Sequence, residues 1–60
     1  MKTVMIILTP DEAEPDVLNV SVPSIHGCYT YGRSRAEAML MAKEAAELCL
    51  DEPVVVWEST

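Results

Sequence analysis

Val4-Met5-Ile6-Ile7-Leu8 run on without a polar interruption. Successive side chains of a strand point to opposite faces, so this run is apolar on both: Val4, Ile6 and Leu8 on one side, Met5 and Ile7 on the other. The pattern predicts a central strand over Thr3–Leu8, covered on both faces. Pro10 is expected to end it, because proline has no N–H to give to a ladder. A chain of 60 residues has little material for such cover. A domain of that size buries only about 60% of the surface its unfolded form exposes, so its core is marginal and a staple is expected. Two cysteines make no disulfide framework, and no Cys/His cluster has zinc spacing. Oligomerisation is therefore the expected staple.

The remaining elements follow from periodicity. In Val17–Val22, Leu18, Val20 and Val22 alternate with Asn19 and Ser21, as in a strand wet on one face. Cys28–Tyr31 makes a short third strand with Tyr29 and Tyr31 on one face, and Gly32 stops it. Ser34 and Glu37 are spaced as an S-x-x-E capping box, which satisfies orphan donors at a helix start. The helix then runs to about Leu50, ahead of Pro53. At about 100° per residue, Ala38, Ala42, Ala45 and Cys49 line its buried centre. Met41 and Leu48 flank that centre on one side, and Met39 and Ala46 on the other. Lys43, Glu44 and Glu47 fall on the opposite face with Leu40 among them. Val54–Glu58 is the last strand. The order βββαβ predicts an α+β fold: a meander of three strands, then a right-handed helical crossover that lays the fourth strand parallel to the first.

Charge narrows the partners. Ten acidic against four basic residues give a net charge of −6. That disfavours direct binding to nucleic acid, which needs Lys and Arg to displace counterions, and favours a basic protein partner. Lys2 is followed by too short an apolar run for a secretory signal. No apolar stretch approaches the roughly 20 residues that span a bilayer. A cytoplasmic protein with no membrane contact is expected.

The segment Val22-Pro23-Ser24-Ile25-His26-Gly27-Cys28-Tyr29-Thr30-Tyr31-Gly32-Arg33-Ser34, followed by Glu37-Ala38 and Ala42-Lys43-Glu44-Ala45, resembles the HicB-like antitoxins. That family shows V-P-x-x-x-G-C, a glycine four residues after the cysteine, a Ser or Thr cap and an E-A-x-x-x-A-x-E-A helix. The chain departs from it at His26, where proline is common, and at Leu40 and Met41, where polar residues are usual. The resemblance covers about half the chain. It implies a partial RNase H-like fold, a cytoplasmic antitoxin and a partner that is a small basic ribonuclease toxin. Fuller members carry a C-terminal DNA-binding domain. The expectation here is a single domain, 1–60, without one.

Several residues invite chemical readings. Asp11, Glu12, Glu14 and Asp16 are four carboxylates in the seven residues Pro10–Asp16, but the glycine turn and distal Glu of a calcium loop are missing. A solvated acidic loop is expected. A two-metal nuclease needs converging carboxylates, typically one inside the first strand, and Thr3–Leu8 has none. His26 is a lone loop histidine without a nucleophile motif, and reads as a surface residue. Cys28 and Cys49 are within reach of each other if the helix covers the third strand, and are expected to pack as reduced thiols. No enzyme activity, cofactor or metal is expected.

The interface candidates are Leu40 and Met41 on the helix, Tyr29 and Tyr31 on the third strand, and Val54, Val56 and Trp57 on the fourth. They suit a homodimer or tetramer, formed through a sheet edge, the Leu40 side of the helix, or both. Two functions fit: an antitoxin-like module that neutralises a basic toxin, and an orphan homo-oligomeric domain with a structural or regulatory role.

Overall fold

The computed structural model describes residues 1–59. It contains β1 (Lys2–Pro10), β2 (Leu18–Ser21), β3 (Tyr29–Gly32), α1 (Arg35–Leu50) and β4 (Val54–Glu58). The sheet has the order β3-β2-β1-β4. β1 is antiparallel to β2, with Leu8 opposite Val20. β2 is antiparallel to β3, with Val20 opposite Thr30. β4 runs parallel to β1, with Lys2 opposite Val54. The fold is α+β, a four-stranded mixed sheet with one helix against it, as the element order predicts. β3 and β4 are its edges. β1 extends through Pro10, which still lies opposite Leu18 as the last position of the ladder.

The helix starts where its sequence says it should. Ser34 is the N-cap in extended conformation, and its side chain accepts from the Glu37 N–H at 3.1 Å. The Glu37 carboxylate reaches back to the Arg33 N–H at 2.9 Å, one residue upstream of the usual capping-box donor. Gly32 makes the approach possible. A Cβ there would fall on the Ala38 backbone, 2.6 Å from its Cα. At the other end Asp51 caps the helix with φ +56°, and its N–H bonds the Glu47 carbonyl at 2.8 Å. That left-handed conformation disfavours any side chain and suits glycine. Asp51→Gly is expected to raise stability by up to about 1 kcal/mol, read as an increased midpoint in urea unfolding. A lowered midpoint would mean that the aspartate contributes more than its strained backbone costs.

The buried stripe of α1 is Ala38, Ala42 and Ala46, all fully covered. This corrects the face expected over Ala38, Ala42, Ala45 and Cys49. Steps of four residues drift about 40° around the axis, so the contact row slants across the sheet. Ala46 is drawn to the centre, while Ala45 is only half-buried and Cys49 is exposed. The same rotation brings Met39 and Leu50 against the core and turns Leu48 out to solvent. Three alanines in a row let the helix axis lie close to the strands, where Val4, Ile6, Val20, Val22, Cys28 and Val54 meet them. The core is entirely aliphatic apart from Cys28, and among the described residues no polar or charged side chain is buried.

β1 departs from its expected cover. Val4 and Ile6 are 2% and 0% exposed beneath the helix, but Met5 and Ile7 are 39% and 41% exposed on the other face. One helix covers one face of a sheet, and the described residues supply no second layer for the other.

Candidate functional site: the open face of the sheet

Alternation divides the sheet residues cleanly. The face away from α1 carries Thr3, Met5, Ile7 and Thr9 of β1, Asn19 and Ser21 of β2, Tyr29 and Tyr31 of β3, and Val55 and Trp57 of β4. Register joins them into rows: Trp57 beside Met5, Val55 beside Thr3, and Ile7 beside Ser21 beside Tyr29. None of these positions is charged. They include all three aromatic residues of the chain, so no aromatic ring enters the core. Among the described residues nine large hydrophobic side chains are exposed, and six of them are on this face. A shallow hollow lies there too, between Trp57, Met5 and Thr3 of the sheet and Pro23 and Ser24 of the β2–β3 loop.

The loop that builds the hollow's wall is tightly made. Val22 and Cys28 close it, the Val22 N–H bonding the Cys28 carbonyl at 3.2 Å, with inner turns from Ile25 to Val22 and from Cys28 to Ile25. Gly27 takes φ +75° at its exit, a conformation that glycine adopts without penalty. Ile25 packs on the edge of the core. His26 is exposed on this loop, as expected.

Charge lies elsewhere. Asp11, Glu12, Glu14 and Asp16 occupy the β1–β2 loop. Glu37, Glu44 and Glu47 are on α1, with Asp51 and Glu52 just past its end. Glu58 turns inward from β4 and pairs with Arg35 at the start of the helix. Asp11 is the loop's own staple. Its carboxylate accepts the Ala13 and Glu14 N–H groups at 3.0 Å each and the Asn19 amide at 2.9 Å. The Asn19 bond and those backbone bonds hold its pKa below the usual range. Glu47 accepts from Lys43 at 2.7 Å and from the Val54 N–H at 3.1 Å, tying the helix to the start of β4. Both bonds, the Lys43 one first, lower its pKa. These two carboxylates are engaged in holding the fold. Among the described residues no three His, Cys, Asp or Glu side chains converge as metal ligands would.

The thiols are both free, Cys28 buried and Cys49 at the surface beside it. Burial, and then the neighbouring Cys49, push the Cys28 thiol up, away from the reactive thiolate. Cys28 packs as the small hydrophobe expected of it.

The interface candidates separate into two groups. Tyr29 and Tyr31 stand out from β3, 74% and 57% exposed, and Trp57 is on the same face. Leu40 is exposed on the outer surface of the helix and Met41 is half-buried beside it. Val54 and Val56 are corrections. Val54 is fully buried and Val56 packs against the core, because the period of two that exposes Val55 and Trp57 turns their neighbours under the helix. Met5, Ile7 and Val55 share the exposed face with Trp57 and the tyrosines, beyond the residues the sequence singles out. The signal for Met5 and Ile7 lies in the both-face hydrophobicity of β1, which reads as burial, and that for Val55 in the unbroken apolar run of β4.

Compared with protein-family models, curated proteins and solved structures, the chain finds no match. No helix among the described residues is long and apolar enough to cross a membrane.

Proposed function

We propose that this chain is a protein-binding module of the HicB-like antitoxin type, with a partial RNase H-like fold and a small basic ribonuclease toxin as its partner. The observation that carries the reading is the separation of charge within a βββαβ domain. Acidic groups crowd the β1–β2 loop and the outer helix, while no charge stands on the open sheet face. Loop carboxylates at Glu12, Glu14 and Asp16, with Glu44 on the helix, attract a basic protein and speed its approach. The V-P-x-x-x-G-C segment supports the same reading through its structural duties. Val22 and Cys28 close the loop, Gly27 turns it, and Gly32 admits the helix. The reading is of a module that binds and does not catalyse; Asp11, Glu37 and Glu47 each accept a backbone N–H and serve the fold. It acts in the cytoplasm, where its thiols stay reduced.

The test pairs the purified chain with the small basic ribonuclease encoded beside it. Stoichiometric loss of ribonuclease activity is expected. The association rate should fall steeply between about 0.05 and 0.5 M salt, and further when Glu12, Glu14 and Asp16 are changed to the amides. No such neighbour, or binding kinetics indifferent to salt and to these substitutions, would overturn the proposal.

A further inference from the structure

We infer that the open face of the sheet is a self-association surface, on which a second copy of the chain packs sheet against sheet about a two-fold axis. The inference does not rest on the antitoxin reading, and it leaves the acid-bearing surfaces free for a basic partner.

Three observations select a second copy as the occupant. The first is where the aromatic residues went. A domain with a marginal core gains most by burying its largest side chains, yet Trp57, Tyr29 and Tyr31 all stand on the uncovered face. The second is charge. Each copy carries −6, and its carboxylates occupy the β1–β2 loop, the helix and the helix end, with Glu58 of β4 turned under the helix to Arg35. Two copies meeting on those surfaces oppose acid with acid. On the open face they bury no charge at all. The same neutrality disfavours other occupants: a basic protein finds no carboxylate there, and a nucleic acid finds no Lys or Arg for its phosphates. The third is area. With each aromatic ring covering about 150–250 Å² when buried, the six exposed hydrophobics present roughly 600 Å². Polar positions between them bring the face toward the roughly 800 Å² per partner of a standard interface, about a fifth of the chain's 4125 Å² surface. A patch of this size on a monomer already marks an interaction site.

The result is a helix–sheet–sheet–helix sandwich, the layer arrangement that gives Met5 and Ile7 the second cover their sequence demands. The hollow beside Trp57 gives the face relief into which a side chain of the other copy can seat.

Sedimentation of the full chain from about 5 to 200 µM tests this. A dimer is expected. It should tighten between about 0.05 and 0.5 M salt, because screening relieves repulsion between two −6 chains. That is the opposite sign to the association with a basic ribonuclease, so the two proposals fail separately. Tyr29→Glu and Trp57→Glu should each weaken the dimer at least about 30-fold, and Leu40→Glu should leave it unchanged. Circular dichroism confirms that each variant is folded. Tyr29, the most exposed ring on the face, carries the test should Trp57→Glu unfold the chain. A monomer at about 200 µM in both salts overturns the inference. So does a dimer broken by Leu40→Glu and not by Tyr29→Glu, which places the contact on the helix. A Tyr29→Glu chain that keeps its dimer but loses the ribonuclease overturns it as well, since the face then belongs to the other partner.

Discussion

Gly32→Val is expected to leave the chain unfolded or nearly so at room temperature, with the helical signal of far-ultraviolet circular dichroism lost. The cause is space. The Cβ of any residue at position 32 lands on the backbone of Ala38, 2.6 Å from its Cα, and backbone cannot rotate aside as a side chain can. Either α1 must lift away from β3 or the strand must shift, and both uncover Cys28 and Ala38. Overpacking by single methylenes already costs about 1–3 kcal/mol, and a small domain has only about 5 kcal/mol to lose. Gly27 supplies the contrast. Its φ of +75° penalises alanine, but no atom lies within 4 Å of the new Cβ. Gly27→Ala is a torsional cost of about 1–2 kcal/mol and should leave a folded protein with a lowered melting point. If Gly32→Val melts no lower than Gly27→Ala, the helix does not approach β3 as closely as described.

Ala42→Phe should be nearly as damaging. Ala42 is wholly covered at the middle of the slanted alanine row, with Ala38 and Ala46 one turn to either side. A phenyl ring at that point acts as a wedge under the centre of α1, so neither end of the helix can stay seated. A loss of about 3 kcal/mol is expected, at the upper end of overpacking costs, because the row faces β-branched Val4, Ile6, Val20, Val22 and Val54, whose stiff side chains give way little. Ala45→Phe, at a half-buried position beside the row, should cost much less. Equal melting points for the two variants would return the buried centre to the Ala45 side.

Much of this fold is legible in the residues, and the failures have physical causes. Ser34, Glu37 and Pro53 mark the helix and the start of β4 through local chemistry, which needs no knowledge of the rest of the chain. The rotation of the helix is less legible, since Ala45 and Ala46 are equally small and the choice between them depends on the angle at which α1 crosses the strands. Met5 and Ile7 show the harder limit. Hydrophobicity reports that a side chain prefers cover, and is silent on whether the same chain supplies it. The interface residues illustrate this twice. Tyr29 and Tyr31 share a face by parity alone, but only the β1–β4 register puts Trp57 beside Met5 and makes one surface of them. Val54 and Val56 look like edge residues when β4 is taken as a whole, and become core once its two faces are separated.

The position of β1 has a consequence for how the protein is made. This strand leaves the ribosome before any of its partners, and β4, which completes its pairing from Lys2 to Ile6, emerges after all the other elements. Translation at about 5–20 residues per second leaves the Lys2–Ile6 half of that ribbon waiting for seconds without a strand partner, since β2 pairs only with Ile7–Pro10. Pairing across some fifty residues also closes slowly, because the loop entropy is lost before the contacts form. Newborn chains are therefore open to chaperones, proteases and one another until β4 docks, and any cut between α1 and β4 returns the folded domain to that state.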